Sequence, residues 1–232
     1  MAPAGTDVDA TVDGSTAPER RRTRNPVAVR RKILDAAMGA FQMHGYHSTS
    51  TSEVMRLAGV TSGGFHHHFP TKKSLGLAVI QDRVAQAIER TWIQPVISAR
   101  TATAGILTVL DQIAESIETD ETILGCPLNN LTLELAAAPD ADFRKALHAV
   151  FEQWHSAIED KLRADQAEGY LTGIDPGQLA VFVIGAYSGA MSMAKASQST
   201  APLRACAQQC RQLLESSTPQ DRLMSGSMTS PE

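Results

Sequence analysis

The stretch "STSTSEVMRLAGVTSGGFHHHFPTKKSL", Ser48 to Leu75, permits very few folds. Ser50 followed by Glu53 has the S-x-x-E spacing of a capping box and predicts a helix start. Val54, Leu57 and Ala58 continue at helical spacing and stop at Gly59. Thr61 or Ser62 can cap a second short helix. Pro70 ends that one, because the residue before a proline avoids helical torsions. Thr71 then opens a long helix. Ahead of all this, Val27, Ile33, Leu34, Ala37, Met38 and Phe41 fall on one helical stripe, which Gly45 is expected to end with a left-handed cap. Two short helices around a tight turn, with a longer helix before them, form a helix-turn-helix. In that arrangement the second helix enters the DNA major groove and the first crosses the backbone.

The rest of the 232-residue chain also reads as helical. Aromatic residues are few, alanine is abundant, and strand-like runs of Val, Ile and Thr are nearly absent, which favours an all-α fold. The charge is unevenly spread: residues 20–83 hold 11 Lys or Arg against three acids, whereas residues 84–232 hold 10 against 18. That asymmetry suggests a polyanion-binding module on a body that does not touch the polyanion. Residues 1–25 read as a disordered tail with a basic arm, "ERRRTRN", suited to a phosphate backbone or merely to solubility. The N-terminus has no positive n-region or apolar h-region. Three cysteines without a secretory signal suggest a reducing cytoplasm. The longest apolar run, Leu179 to Ala194, is short for a membrane span, and a buried helix is expected.

The segment "RRKILDAAMGAFQMHGYHSTSTSEVMRLAGVTSGGFHHHFPTKKSLGLAVI" resembles the DNA-binding domain of the TetR family of bacterial transcriptional regulators. The "ILDAA…F…GY" helix, the "S-x-x-E" cap, the "AGV" turn and the "F-x-x-H-F-P-x-K" exit carry the likeness. The segment "GCPLNNLTLELA" is similar to one found in some members. The resemblance implies a homodimer with two recognition helices, an all-helical ligand-binding domain, and repression relieved by a small molecule. It places DNA contacts on Thr51, Ser52, Ser62, Gly63, Gly64, His66, His67 and Lys72. Three positions depart from the usual pattern: Ser62 replaces a common lysine, Gly64 a hydroxyl residue, and His66 a tyrosine. The implied domains are a helix-turn-helix unit at 26–72, a ligand-binding and dimerisation unit at 73–216, and a polar tail at 217–232.

Three adjacent histidines suggest metal binding, but helical geometry argues against it. Neighbouring residues on a helix point about 100° apart, so His66, His67 and His68 cannot face one ion. His44 and His47 have no cysteine or carboxylate at ligand spacing. Phe65, Phe69 and His68 are expected to face inward, and His66 and His67 to face DNA. No cofactor is implied.

In the second unit, Pro95 is expected to break or kink the long helix, and Pro127 opens a short one. "LAVFVIGAYSGAMSMA" is apolar nearly all round, hence central or shared with another subunit. An effector pocket between central helices would draw on Asn129, Asn130, Trp154, His155, Tyr187 and Met191. For each, the plain alternative is a core or interface residue with its polar tip satisfied. Cys126 at a helix N-terminus would become a reactive thiolate if Lys195 came beside it. Otherwise it is a buried inert thiol. An enzyme is disfavoured, because no nucleophile–base ordering, nucleotide-binding glycine loop or zinc spacing is present. An architectural DNA-binder would not need so large a second unit.

Overall fold

The computed structural model describes residues 25–119, 122–137 and 140–219, and every regular element among them is helical. Helix α1 (Pro26–His44) starts on Asn25, whose side chain accepts from the Val27 and Ala28 N–H groups, with Pro26 at the first position where its missing N–H costs nothing. Ile33, Leu34, Ala37 and Phe41 bury against α2 (Thr51–Ala58) and α3 (Ser62–His68), which contribute Val54 and Phe65. Two members of the expected stripe are not buried in this core. Val27, in the first turn of α1, is 76% exposed, and Met38 is half-buried at the edge of the core.

From α4 (Lys72–Val79) the chain forms one rod through a π-helical turn, π1 (Ile80–Val84), then α5 (Ala85–Ile88), π2 (Glu89–Ile93) and α6 (Gln94–Ser98). Pro95, expected to break or kink the helix, does not break it. Proline lacks an N–H and crowds the carbonyl four residues back. The wide turn of π2, closed by the Gln94 N–H on the Glu89 carbonyl, loosens the ladder just ahead of Pro95 and lets the helix continue.

The body comprises α7 (Ala102–Glu118), α8 (Pro127–Leu135), α9 (Ala141–Ala167), α10 (Pro176–Ser197) and α11 (Ala201–Ser216), packed around the far half of the rod. Buried Asp165 of α9 accepts from the Ala102 N–H at 2.5 Å and pairs with Lys161 at 3.1 Å, tying the start of α7 to α9. Gly105 lets α6 and α7 touch: a Cβ there would lie 2.8 Å from the Val96 Cα. Apolar contacts run without interruption from Ile33 to Leu214, so the two units share one core.

Helix α10 is buried on one face within the chain. By length and composition it could cross a membrane, yet it packs on α9 and α11. Leu179, Val183, Tyr187 and Met191 are buried, while Val181, Phe182 and Met193 on the opposite face are exposed in the single chain. Helix α11 ends at Ser216, and the Thr172 N–H donates to the Ser217 carbonyl at 2.8 Å. The basic arm and most of both expected tails lie outside the described residues.

Candidate DNA interface and its link to the core

The reading head is α3. Thr61 caps it through the Gly64 N–H, and Phe65 and Phe69 anchor its inner face, leaving Ser62, Gly63, His66 and His67 exposed. Gly64 and His68 are half-buried. His66 lies edge-on to Phe65, and His67 edge-on to His68. Burial, then the neighbouring His67 and Arg30, hold the His68 pKa below its ordinary value, so this inner histidine favours the neutral form. Ser52 is exposed at the start of α2 and Thr51 half-buried. The turn between the helices is made by Gly59 at φ 63°, ψ 39°, the left-handed conformation glycine adopts without strain. Gly45 also has positive φ, but its ψ of 158° is extended, not the left-handed cap expected. At Ser50 only half of the capping box forms: the serine accepts from the Glu53 N–H, while Glu53 turns toward His44. The complete box is Thr71 with Ser74.

The basic block is less free than its count suggests. Arg30 pairs with Asp82 at 2.7 Å and lies over the Phe69 ring. Arg83 pairs with Asp35, and Lys73 with Asp140 and Asp142. Donating hydrogen bonds to those two aspartates pushes the Lys73 pKa up to about 12. Arg31, Lys32 and Arg56 enter no ion pair among the described residues. Part of the sequence charge therefore joins the reading unit to the body.

Lys72 also has a partner. Its Nζ donates to the His47 carbonyl at 3.0 Å and sits 4.6 Å from the Tyr46 ring centre. Burial lowers its pKa, with Glu134 opposing. Glu134 ends α8 and accepts from the Tyr46 N–H at 2.8 Å and the His47 N–H at 2.5 Å. Gly76 gives Tyr46 room, since a Cβ there would lie 2.6 Å from its ring. Gln42 donates to the Gly125 carbonyl at the other end of α8. The α1–α2 connection is thus clamped to α8, and Lys72 is set by that clamp.

The residues expected to line a pocket separate into four places. Trp154 and Tyr187 meet Trp92 in a buried aromatic cluster with ring centres 4.8 to 5.8 Å apart, and the Tyr187 hydroxyl lies against Cys126. Asn129, Asn130 and Lys195 instead hold α8 to its surroundings. Asn129 donates to the Ser188 carbonyl and Asn130 to the Leu124 carbonyl, while Lys195 donates to the Asn130 Oδ1. Met191 lines a separate groove with Gln42, Met43 and Leu124. His155 lies between Glu159 and the Gly177 carbonyl, at the start of α10. The proposed Cys126–Lys195 pairing is not formed. Burial pushes the Cys126 thiol up and outweighs the helix-start N–H groups of Leu128 and Asn129, which act in the expected direction. Lys195 is exposed and committed to Asn130.

Residues 33–79 match the family described as "Bacterial regulatory proteins, tetR family", and residues 102–209 match "Transcriptional regulator LmrA/YxaF-like, C-terminal domain". The chain is 30% identical to the HTH-type transcriptional regulator LmrA of Bacillus subtilis (strain 168) over 136 residues, covering 58% of this chain and 71% of that one. The chain belongs to the TetR family. Another relative, the HTH-type transcriptional repressor DhaR of Mycobacterium sp. (strain GP1), is 25% identical over 183 residues, covering 75% of this chain and 86% of DhaR. The crystal structure of a regulatory protein TetR from Rhodobacter sphaeroides superposes with a TM-score of 0.71 at 28% identity, covering 79% of this chain and 97% of that one. TetR-family proteins are DNA-binding regulators, not enzymes, which agrees with the helix-turn-helix geometry.

Within this TetR fold, sequence reasoning missed Trp92 and Glu134. Trp92 marks only a helix end in the linear pattern, although the chain has just two tryptophans and both fall in apolar helical stretches. Glu134 gives no signal in sequence: it is one acid on a short helix, and its partners are 87 and 88 residues away.

Proposed function

We propose that this TetR-family chain is a repressor that binds an inverted-repeat operator as a homodimer and is released by a small molecule. The exposed apolar stripe of α10 carries the reading. Val181, Phe182 and Met193 stand on one face with Gly185 and Gly189 between them, where a second copy can approach closely. Two chains joined there present two copies of α3, as a two-fold operator requires. In α3, Ser62, Gly63, Gly64, His66 and His67 face the groove; Thr51, Ser52 and Lys72 meet the backbone. The name of the relative DhaR supports repression. DNA as partner puts the working site in the cytoplasm.

Operators selected from random duplexes, followed by footprinting, test this. Two protected half-sites in inverted orientation are expected, with Phe182→Asp abolishing paired protection. A monomer protecting one isolated half-site would overturn it.

A further inference from the structure

Helix α11 carries two cysteines four residues apart, Cys206 and Cys210. On a helix that spacing puts both side chains on one face, one turn apart. The fold brings their sulfurs into contact: the Cys210 thiol donates a hydrogen bond to the Cys206 sulfur. It also makes them unequal. Cys210 is buried with Leu203, Ala207 and Leu214, which seat α11 on the core, whereas Cys206 is half-buried at the edge of that face. The donated bond brings the Cys206 pKa down to about 7 against the opposing effect of burial, and it holds the Cys210 proton in place. At neutral pH the more accessible sulfur is therefore largely available as thiolate, the nucleophilic and ligating form.

The geometry restricts what such a pair can do. Oxidation to a disulfide suits it poorly. Side chains four apart on a helix have Cβ atoms about 5–6 Å apart, and a disulfide needs about 3.5–4.5 Å. An atom placed between the sulfurs supplies two bonds where a disulfide has one, and it closes the gap without unwinding α11. A zinc-type ion takes four ligands, and no group of three or more His, Cys, Asp or Glu among the described residues could hold one. The flanking charges of α11 are occupied, Arg204 with Glu118 and Arg211 with Asp111. Linear two-coordinate ions such as copper(I) or mercury(II) keep their sulfurs on opposite sides, and sulfurs in hydrogen-bond contact do not offer that. Pyramidal trivalent arsenic forms its bonds at a narrow angle and takes adjacent sulfurs.

We propose that Cys206 and Cys210 form a dithiol site for a trivalent arsenical carrying one organic substituent. The Cys206 sulfur attacks arsenic first, and the Cys210 thiol, one turn away, closes the chelate. With an oxide R–As=O, both thiols lose their protons, two As–S bonds form, and the oxygen leaves with the two protons as water. Arsenic stays trivalent, so no oxidant or reductant is needed. Cys126 takes no part. It is buried at the start of α8, burial pushes its thiol pKa up, and its side-chain neighbour is the Tyr187 hydroxyl.

Phenylarsine oxide added to the reduced full-length chain tests this. One arsenical per chain is expected by native mass spectrometry. It should resist excess β-mercaptoethanol and yield to dimercaptopropanol, because a single thiol cannot match two that are tethered on one helix. The three thiols of the chain, titrated after unfolding, should fall to one. The helical circular dichroism signal should be kept. Cys206→Ser and Cys210→Ser should each weaken retention by roughly a hundredfold or more, whereas Cys126→Ser should retain the arsenical as the natural chain does. Release from the natural chain by the monothiol, equal retention in Cys206→Ser, lost retention in Cys126→Ser, loss of helix on binding, or no adduct would each overturn the proposal. Should a serine variant fail to fold, the thiol count and the monothiol challenge on the natural chain still decide. The assay contains no DNA, so its failure leaves the operator reading untouched.

Discussion

The two ends of α8 treat buried polarity in opposite ways. At its C-terminal end, the Glu134 carboxylate takes two backbone N–H groups, Lys72 fills the His47 carbonyl, and Tyr46 packs edge-on against Phe41 and Phe143. Beside its N-terminal end, the Trp154 indole N–H has no partner among the described residues, in a buried aromatic cluster where Trp92 donates to the Tyr187 hydroxyl. A satisfied network fixes one geometry, and here it fixes how the reading unit sits on the body. An unsatisfied one leaves free energy for something else to recover. One short helix touches both.

Truncating Trp154 to alanine should be the most damaging single change to that contrast. It leaves a large cavity and should cost about 3–5 kcal/mol in denaturant unfolding. Trp154→Phe, which keeps most of the ring and deletes the orphan N–H, should cost under about 1.5 kcal/mol. Equal losses would mean that the indole nitrogen has a partner in the folded protein and that the two ends of α8 do not differ.

Glu134→Ala should come next, at about 2 kcal/mol, because it strips a charged acceptor from two N–H groups. It should also lower DNA affinity without touching the DNA. Unchanged binding in an electrophoretic shift assay would show that the clamp holds the loop but not the reading geometry.

Lys72→Ala sharpens the comparison from the DNA side. If Lys72 leaves the His47 carbonyl for a phosphate, affinity should fall alike for all sequences, and the salt dependence should flatten by about one unit of slope. Loss of discrimination with an unchanged slope would give Lys72 a different role.

The smallest effect concerns pH. Burial raises the Cys126 pKa, so the folded chain keeps its proton where the unfolded chain has lost it. That contribution is whole below the ordinary thiol pKa of 9.0 and fades as pH rises through and beyond it. Stability should slope downward above about pH 9, less steeply in Cys126→Ser. Native Cys126 should also resist alkylation at neutral pH, in contrast to the unfolded chain.

Local chemistry made much of the molecule legible from residues 48–75 alone. Caps at Ser50, Thr61 and Thr71, the left-handed Gly59 and the stop at Pro70 act within a few residues, so their positions could be read directly. The family likeness then supplied the architecture of the rest. Long-range partnerships were not legible. Pro95 looks like a break until π2 absorbs it. Lys73, counted as a free cation, is spent on Asp140 and Asp142 across the fold. Cys126 and Lys195 seem a plausible pair until burial and Asn130 separate them. Asn129 and His155, selected as pocket residues, serve as staples between helices.

Helix starts, stops and the reading motif depend on torsions and hydrogen bonds between near neighbours, and the order of residues specifies those. Which donors end up paired depends on what packing brings within about 3 Å from tens of residues away. Only the tertiary structure could make Glu134 a saturated clamp and leave the Trp154 indole without an acceptor among the described residues, because burial removes the water that would otherwise satisfy every such group alike.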